Sequence, residues 1–300
     1  MWTGIVAVAV FLVVIYTLLY LISRFRWYGI RRGAWPGEEE VDLLSGSGLP
    51  LIIAHRGGAG LGPENTLSAC QKSCQLGVDM LELDVRLTAD GKLVTHHDAT
   101  IDRMSDGCGP VAEKTADELR KYDFSTGFFD EERKEEEKIA LLDEIMAEFK
   151  GARFTLEIKD EGYRGKEAVD ELMDLLSRHD NRQNVIVGSF HDEVLDYLSR
   201  NYPGQVAYSA SQLEVGKFVI LNLLRLGGLY GGDISALQLP TSFRGINLVR
   251  KRLIKAAHSM DIAVHYWTVN SPEKMERLIE LGVDGIITDR PDILIELLEN

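Results

Sequence analysis

Cysteine is scarce: Cys70, Cys74 and Cys108 are the only three in 300 residues. A disulfide scaffold is excluded, and the odd count favours a reducing compartment. Cys70 and Cys74 lie four apart in a helical pattern and read as packing on one helix face. No Cys/His set has the spacing of a structural zinc site. Basic residues are also outnumbered, 33 against 47 acidic, for a net charge of −14, which argues against a general nucleic-acid binder. Charge is missing altogether from Met1 to Ser23. The rest is ordinary for a folded chain, 45% apolar and 27% charged.

The uncharged stretch carries an almost wholly apolar run, Ile5 to Ile22. At about 1.5 Å per helical residue it just spans a hydrocarbon core. Arg24, Arg26, Arg31 and Arg32 follow, mixed with Trp27, Tyr28 and Trp35, as expected at a membrane interface. A cleaved signal peptide carries basic residues before the run and a small-x-small site after it, and neither is evident. Residues 1–23 are therefore expected to form an uncleaved transmembrane helix. The arginines place the remainder on the cytoplasmic face by the positive-inside rule. Residues 24–50, with Pro36, an acidic run and Gly-Ser-Gly, read as a basic juxtamembrane segment and linker.

From Leu51 to residue 300, short apolar strands alternate with helical periods. The expected strands are Leu51–Ala54, Met80–Arg86, Phe154–Lys159, Val185–Ser189, Val206–Ser209, Ala236–Leu239, Ile262–Val269 and Gly285–Thr288. Helical patterns cover Asn65–Leu76, Lys166–Ser177, Asp192–Arg200, Leu248–Ser259 and Pro272–Leu281. Eight such units in about 250 residues predict an α/β fold, a (β/α)8 TIM barrel rather than a doubly wound sheet.

A barrel of this kind places chemistry at the C-terminal ends of its strands. His55-Arg56-Gly57 directly follows the first strand, and Glu82 and Asp84, at i and i+2, share one side of the second. His97-Asp98 ends a short extended run from Lys92 to His96. Glu157 and Lys159 repeat the i, i+2 pattern, and Trp267 and Asn270 close the seventh strand. Inward-facing carboxylates are costly unless paired or bound to a cation. Glu82, Asp84 and Glu157 offer three hard oxygen donors, which suit Mg²⁺ or Ca²⁺ rather than zinc. With His55 and His97 as acid and base, the set fits phosphodiester cleavage. Arg56 and Lys159 are placed to hold non-bridging phosphate oxygens, and Trp267 joins them as a substrate-binding candidate. His96, one residue from His97, is expected to turn to the other face as a structural residue.

Several motifs together resemble the glycerophosphodiester phosphodiesterase family: His55-Arg56-Gly57, Pro63-Glu64-Asn65-Thr66, Glu82-Leu83-Asp84-Val85, Asp90-Gly91, His97-Asp98, Glu157-Ile158-Lys159, Trp267-Thr268-Val269-Asn270 and Asp284 to Pro291. The similarity runs from about Leu51 to the C-terminus. It implies a TIM barrel with a small insertion after the second strand, at about 99–150, a divalent cation at Glu82, Asp84 and Glu157, and an acid/base pair at His55 and His97. Such enzymes yield glycerol 3-phosphate and an alcohol, either through attack by a neighbouring glycerol hydroxyl or directly by water. The residues do not choose between those routes, nor between the two histidines as acid and base. Within the insertion, Glu131–Lys138 reads as a solvated surface.

Two features pull toward lipid: the anchor and the apolar stretch Phe218–Tyr230. That stretch is too short to span and reads either as a buried barrel helix or as an interfacial segment. With His55-Arg56-Gly57-Gly58-Ala59-Gly60 it is similar to the membrane-bound branch of the family that acts as lysophospholipase D, releasing a head-group alcohol and leaving lysophosphatidic acid. The expected partners are thus a small phosphodiester or a lysophospholipid and a membrane, with no nucleic acid. A tethered, inactive binding module is the reading from another class, and the retained histidines, carboxylates and lysine argue against it.

Overall fold

Strands with no polar face suit a parallel barrel, whose sheet is covered inside by its own side chains and outside by helices. Leu51–Ala54 is such a strand, with Leu51, Ile53 and Ala54 buried. The computed structural model describes residues 2–29, 41–46, 48–126, 128 and 136–299; among the first 46 residues, the side chains described are those of 8–24 and 43–46.

In chain order the strands are β1 (Leu51–Ala54), β2 (Met80–Leu87), β3 (Leu93–Thr95), β4 (Phe154–Ile158), β5 (Val185–Gly188), β6 (Ala207–Tyr208), β7 (Ala236–Pro240), β8 (Ser242–Phe243), β9 (Ile246–Asn247), β10 (Ala263–Trp267) and β11 (Gly285–Thr288). The helices begin with α1 (Trp2–Gly29), α2 (Val41–Leu44), α3 (Leu67–Leu76), α4 (Ala116–Leu119) and α5 (Leu142–Glu148). They continue with α6 (Gly162–Arg178), α7 (Asp192–Asn201), α8 (Gln212–Leu223), α9 (Lys251–His258), α10 (Pro272–Leu281) and α11 (Pro291–Glu299).

Eight strands pair in parallel in the order β6-β5-β4-β2-β1-β11-β10-β7. A parallel bridge between Ser209 and Ala236 joins the two ends, so the expected (β/α)8 barrel is nearly closed. β3 pairs antiparallel with β2, and the segment expected as an insertion begins just after it. Much of Glu131–Lys138 lies outside the described residues. The Phe218–Tyr230 stretch is divided between core and surface. Phe218, Leu226 and Tyr230 are buried in the core, whereas Ile220, Leu223 and Leu224 are exposed.

α1 packs on the loop after α8: the Tyr16 hydroxyl donates to the Leu224 carbonyl at 3.0 Å, and Gly228 N–H donates to Ser23 Oγ at 3.0 Å. A Cβ on Gly228 would stand 2.0 Å from the Ser23 carbonyl oxygen, so only glycine admits this approach. Among the described residues no helix is long and apolar enough to cross a membrane. Arg26, Trp27, Tyr28, Arg31, Arg32 and Trp35, expected at an interface, have no described side chains.

Part of the expected linker belongs to the barrel. Leu43 of α2 is buried in one cluster with Leu51, Ile53, Met80, Ile186, Ala207 and Ile287. The Leu44 carbonyl meets Nε2 of the fully buried His265 at 2.9 Å. α2 thus plugs the barrel and caps a buried imidazole. Leu43→Ala is expected to cost about 2–4 kcal/mol and lower the melting temperature by several degrees; an unchanged melting curve would show that the plug does not hold the barrel.

Candidate active site

The turn after β1 sets the centre. Arg56, Gly57 and Gly58 all have positive φ (52°, 76° and 103°), which bends the chain back over the strand ends. At Gly57 an added Cβ would lie 2.8 Å from Cys70 Sγ, and at Gly58 2.2 Å from Ser73 Oγ, so the turn presses directly on α3. Arg56 pays for a left-handed conformation that few side chains adopt. In return its N–H points at Glu82 and donates to Oε2 at 2.7 Å.

Glu82 and Asp84 share one side of β2, and the β2–β4 register sets Asp84 beside Glu157. One oxygen from each of Glu82, Asp84 and Glu157 lies within 4.8 Å of the others. Lys159 Nζ bridges Asp84 at 3.0 Å and Glu157 at 2.7 Å. Asn65, itself at φ 60°, donates to Asp84 Oδ2 at 2.9 Å and accepts the Asp84 N–H at 3.0 Å. Even so, burial first, and then the charge of Asp84, push Glu82 up to about 7. Glu157 is also raised, by burial first, with the Asp84 charge adding to it against the opposing pull of Lys159. Asp84 is lowered, because Lys159, Arg56 and its other partners outweigh its burial. The donor set is therefore hard, convergent and under-neutralised by the chain itself, which fits a divalent cation.

The two predicted histidines adjoin this cluster, His55 beside Glu82 and His97 within the field of Asp84, and each is held through Nδ1. His55 Nδ1 meets Asp289 Oδ1 at 2.6 Å, and its Nε2 lies 4.0 Å from Glu82. Burial opposes charge on His55, but Asp289 and Glu82 outweigh it and raise the pKa. His97 Nδ1 meets Asp98 Oδ1 at 2.7 Å; there burial prevails over Asp84 and Asp98, and the pKa falls. His96 turns away, with Nε2 on the Thr100 carbonyl and its ring edge-on to Phe124.

The predicted phosphate ligands are differently placed. The Arg56 guanidinium is held by Glu64 at 2.9 Å and lies 3.3 Å from Asp84, so it braces carboxylates rather than standing open as a fork. Lys159 lies over the Phe190 ring, 5.4 Å from its centroid, and Phe190 meets Trp267 edge-on. Trp267 is fixed by its indole N–H to the Gln238 carbonyl at 3.0 Å. All eight predicted residues therefore converge, Trp267 through Phe190.

Sequence reasoning left out the supports. Asp289 orients His55 and is itself held by Asn270 Nδ2 at 2.6 Å. Arg103 ties Asp98 to Glu64, at 2.6 Å to each. Arg86 grips the His97 carbonyl through two nitrogens, at 3.0 and 2.9 Å. Asp289, Asn270, Glu64, Asn65 and Asp98 lie in motifs visible in the chain, whereas Arg86, Arg103 and Phe190 carry no such signal.

The sequence profile of the glycerophosphoryl diester phosphodiesterase family matches residues 55–293. A glycerophosphodiester phosphodiesterase of Caldanaerobacter subterraneus subsp. tengcongensis is 33% identical over 258 residues, which cover 83% of this chain and 97% of that one. A phosphodiesterase of Oleispira antarctica, solved in complex with the product sn-glycerol-3-phosphate, is similar at 25% identity and a TM-score of 0.69, covering 84% of this chain and 98% of that one. A human lysophospholipase D is more distant, 24% identical over 285 residues, with 84% of this chain and 87% of that one covered.

The Glu82 shift has a stability consequence. With its ordinary value near 4.5 and its folded value about 7, the folded chain without a cation keeps a proton that the unfolded chain releases. Stability is therefore lost as pH rises from 4.5 through 7, by no more than about 3 kcal/mol. In chelator at pH 8, Glu82→Gln is expected to melt a few degrees above the parent chain, the gap closing at pH 4. A lower melting temperature at pH 8 would show that the carboxylates do not strain one another.

Proposed function

The chain belongs to the glycerophosphoryl diester phosphodiesterase family and is a phosphoric diester hydrolase, and on that premise we propose that it cleaves glycerophosphodiesters to glycerol 3-phosphate and an alcohol by histidine acid/base catalysis assisted by one divalent cation. The observation that carries the reading is the pair of histidines flanking the carboxylate cluster, each anchored through Nδ1 by its own aspartate. Anchoring at Nδ1 leaves Nε2 as the working atom of each ring. One imidazole takes the proton from the attacking hydroxyl or water, and the other gives a proton to the departing alkoxide. Glu82, Asp84 and Glu157 would hold the cation, Mg²⁺ or Ca²⁺, which supplies neutralisation of the phosphoryl charge. Lys159 is the cation of the chain closest to two of those carboxylates and is placed to meet a non-bridging oxygen. Phe190 and Trp267 wall the site beside it.

A second reading, lysophospholipase D, is favoured by an apolar rim. Phe190 follows β5, Leu213 opens α8 after β6, and Phe243 and Ile246 form the hairpin after β7; their exposures are 40%, 71%, 53% and 43%. All four follow the C-terminal ends of barrel strands, the face that carries the chemistry. An acyl chain on the glycerol side of the substrate has a surface to lie on there, with Phe190 already touching Lys159.

We place α1 at a membrane on similar grounds. Val10, Phe11, Leu12, Val13, Val14 and Leu18 are each about half exposed or more, an apolar surface that water does not favour. The four arginines after the run support a catalytic domain on the cytoplasmic side. Protease added to intact cells is expected to leave the barrel uncut, and digestion from outside would reverse the orientation.

The deciding experiment is choline release by the full-length chain from glycerophosphocholine and from lysophosphatidylcholine, with Mg²⁺, Ca²⁺ or chelator. Turnover of glycerophosphocholine is expected, abolished by chelator and by Glu82→Ala or Glu157→Ala, and lowered about 100-fold or more by His55→Ala or His97→Ala. Strong preference for the lysolipid would establish the second reading. Full activity of Glu82→Ala after complete chelation would overturn the cation assignment.

A further inference from the structure

A cavity of about 590 Å³ lies between the end of α1, the α8 C-terminus and α9, and shares no residue with the carboxylate–histidine centre. Of its ten lining residues five are cations, Arg24, Arg225, Lys251, Arg252 and Lys255, and none is acidic. In a chain with 47 acidic residues against 33 basic, such a lining is a local reversal of sign. We propose that this cavity binds the phosphate of an anionic membrane lipid.

Two further features are unfavourable unless an anion is present. α9 opens with Lys251 and Arg252 and has no acidic residue in its first turn, where the helix dipole disfavours cations. Lys251 and Lys255, four apart, repel each other on one face of the same helix. Arg225 adds a third: it ends α8 at φ 62°, a left-handed position that glycine fills without strain, yet its side chain lines the cavity. A bound phosphate answers all three, since it neutralises the first turn of α9, screens the lysine pair and gives Arg225 a partner of matching geometry.

The surroundings select a lipid over a free anion. Ile220 and Leu223 of the adjoining α8 and Leu224 just after it are exposed, as are Leu21 and Ile22 of α1. A phosphate seated among the cations thus has acyl-compatible surface next to it. The site shares with the functional reading only the placement of α1, and a water-soluble probe separates the two.

The test titrates dihexanoyl phosphatidate, a monoester that a phosphodiesterase does not cleave, into the full-length protein in neutral detergent, followed by calorimetry. Dihexanoyl phosphatidylcholine and inorganic phosphate run in parallel. Arg252 and Lys255 are exposed, so the double variant Arg252→Ala/Lys255→Ala is expected to melt as the parent does and to hydrolyse glycerophosphocholine at the parent rate. The expected result is saturable binding of phosphatidate that weakens roughly tenfold or more in the variant. Equal affinity in both proteins, no binding at all, or equally tight phosphatidylcholine would overturn the site. Inorganic phosphate binding as tightly as phosphatidate would overturn the lipid assignment. Absence of hydrolysis in both proteins, with phosphatidate binding still lost in the variant, would reject the functional reading and leave the site standing.

Discussion

Three carboxylates held within 4.8 Å of one another, two of them almost fully buried, are the constraint around which this barrel is arranged. Like charges at such distances in a low-dielectric interior repel strongly. The chain answers with one lysine, one arginine, one asparagine and one backbone N–H. That supply holds Asp84 below the usual carboxylate range but leaves Glu82 raised. The left-handed turn at 56–58 serves the same need, since it aims the Arg56 N–H at Glu82. Local backbone strain and the electrostatics of the centre are thus one problem solved once.

The supports reach outward in two branches. On one side Asn270 holds Asp289 and Asp289 holds His55, linking the ends of β10 and β11 to the start of the turn after β1. On the other, Arg103 in the insertion ties Asp98, and so His97, to Glu64, which in turn holds Arg56. The insertion is therefore more than a decoration of the loop after β2. It supplies the cation that ties the Asp98 partner of His97 to the shell of the carboxylate cluster.

Much of this was legible in the sequence. Strands β1 and β11 and helix α10 fall on the expected residues, because short apolar runs with clear helical partners leave little freedom. The site residues were legible because a barrel strand exposes its functional side chains at a fixed end, and alternation then selects Glu82 with Asp84 and Glu157 with Lys159. What stayed hidden has a common cause. Arg86 and Arg103 act through the hairpin and the loop after β2, and Phe190 reaches Lys159 from the end of a different strand, so strand alternation shows none of these contacts. Leu43 looked like linker because a four-residue apolar turn beside Pro, Gly and Ser has no periodicity to reveal a plug. Arg56 was expected as a phosphate fork, and its commitment to Glu64 could not be read from residue type.

The grip of α1 on the barrel is one of two contacts that the N-terminal part of the chain makes with it. Ser23 is locked against Gly228 on one side of residues 30–40, and Leu43 is buried in the barrel on the other. Both segments are therefore docked on the same body. The barrel is mounted on its first helix like a lamp on a bracket, with Ser23 against Gly228 as the fixing point.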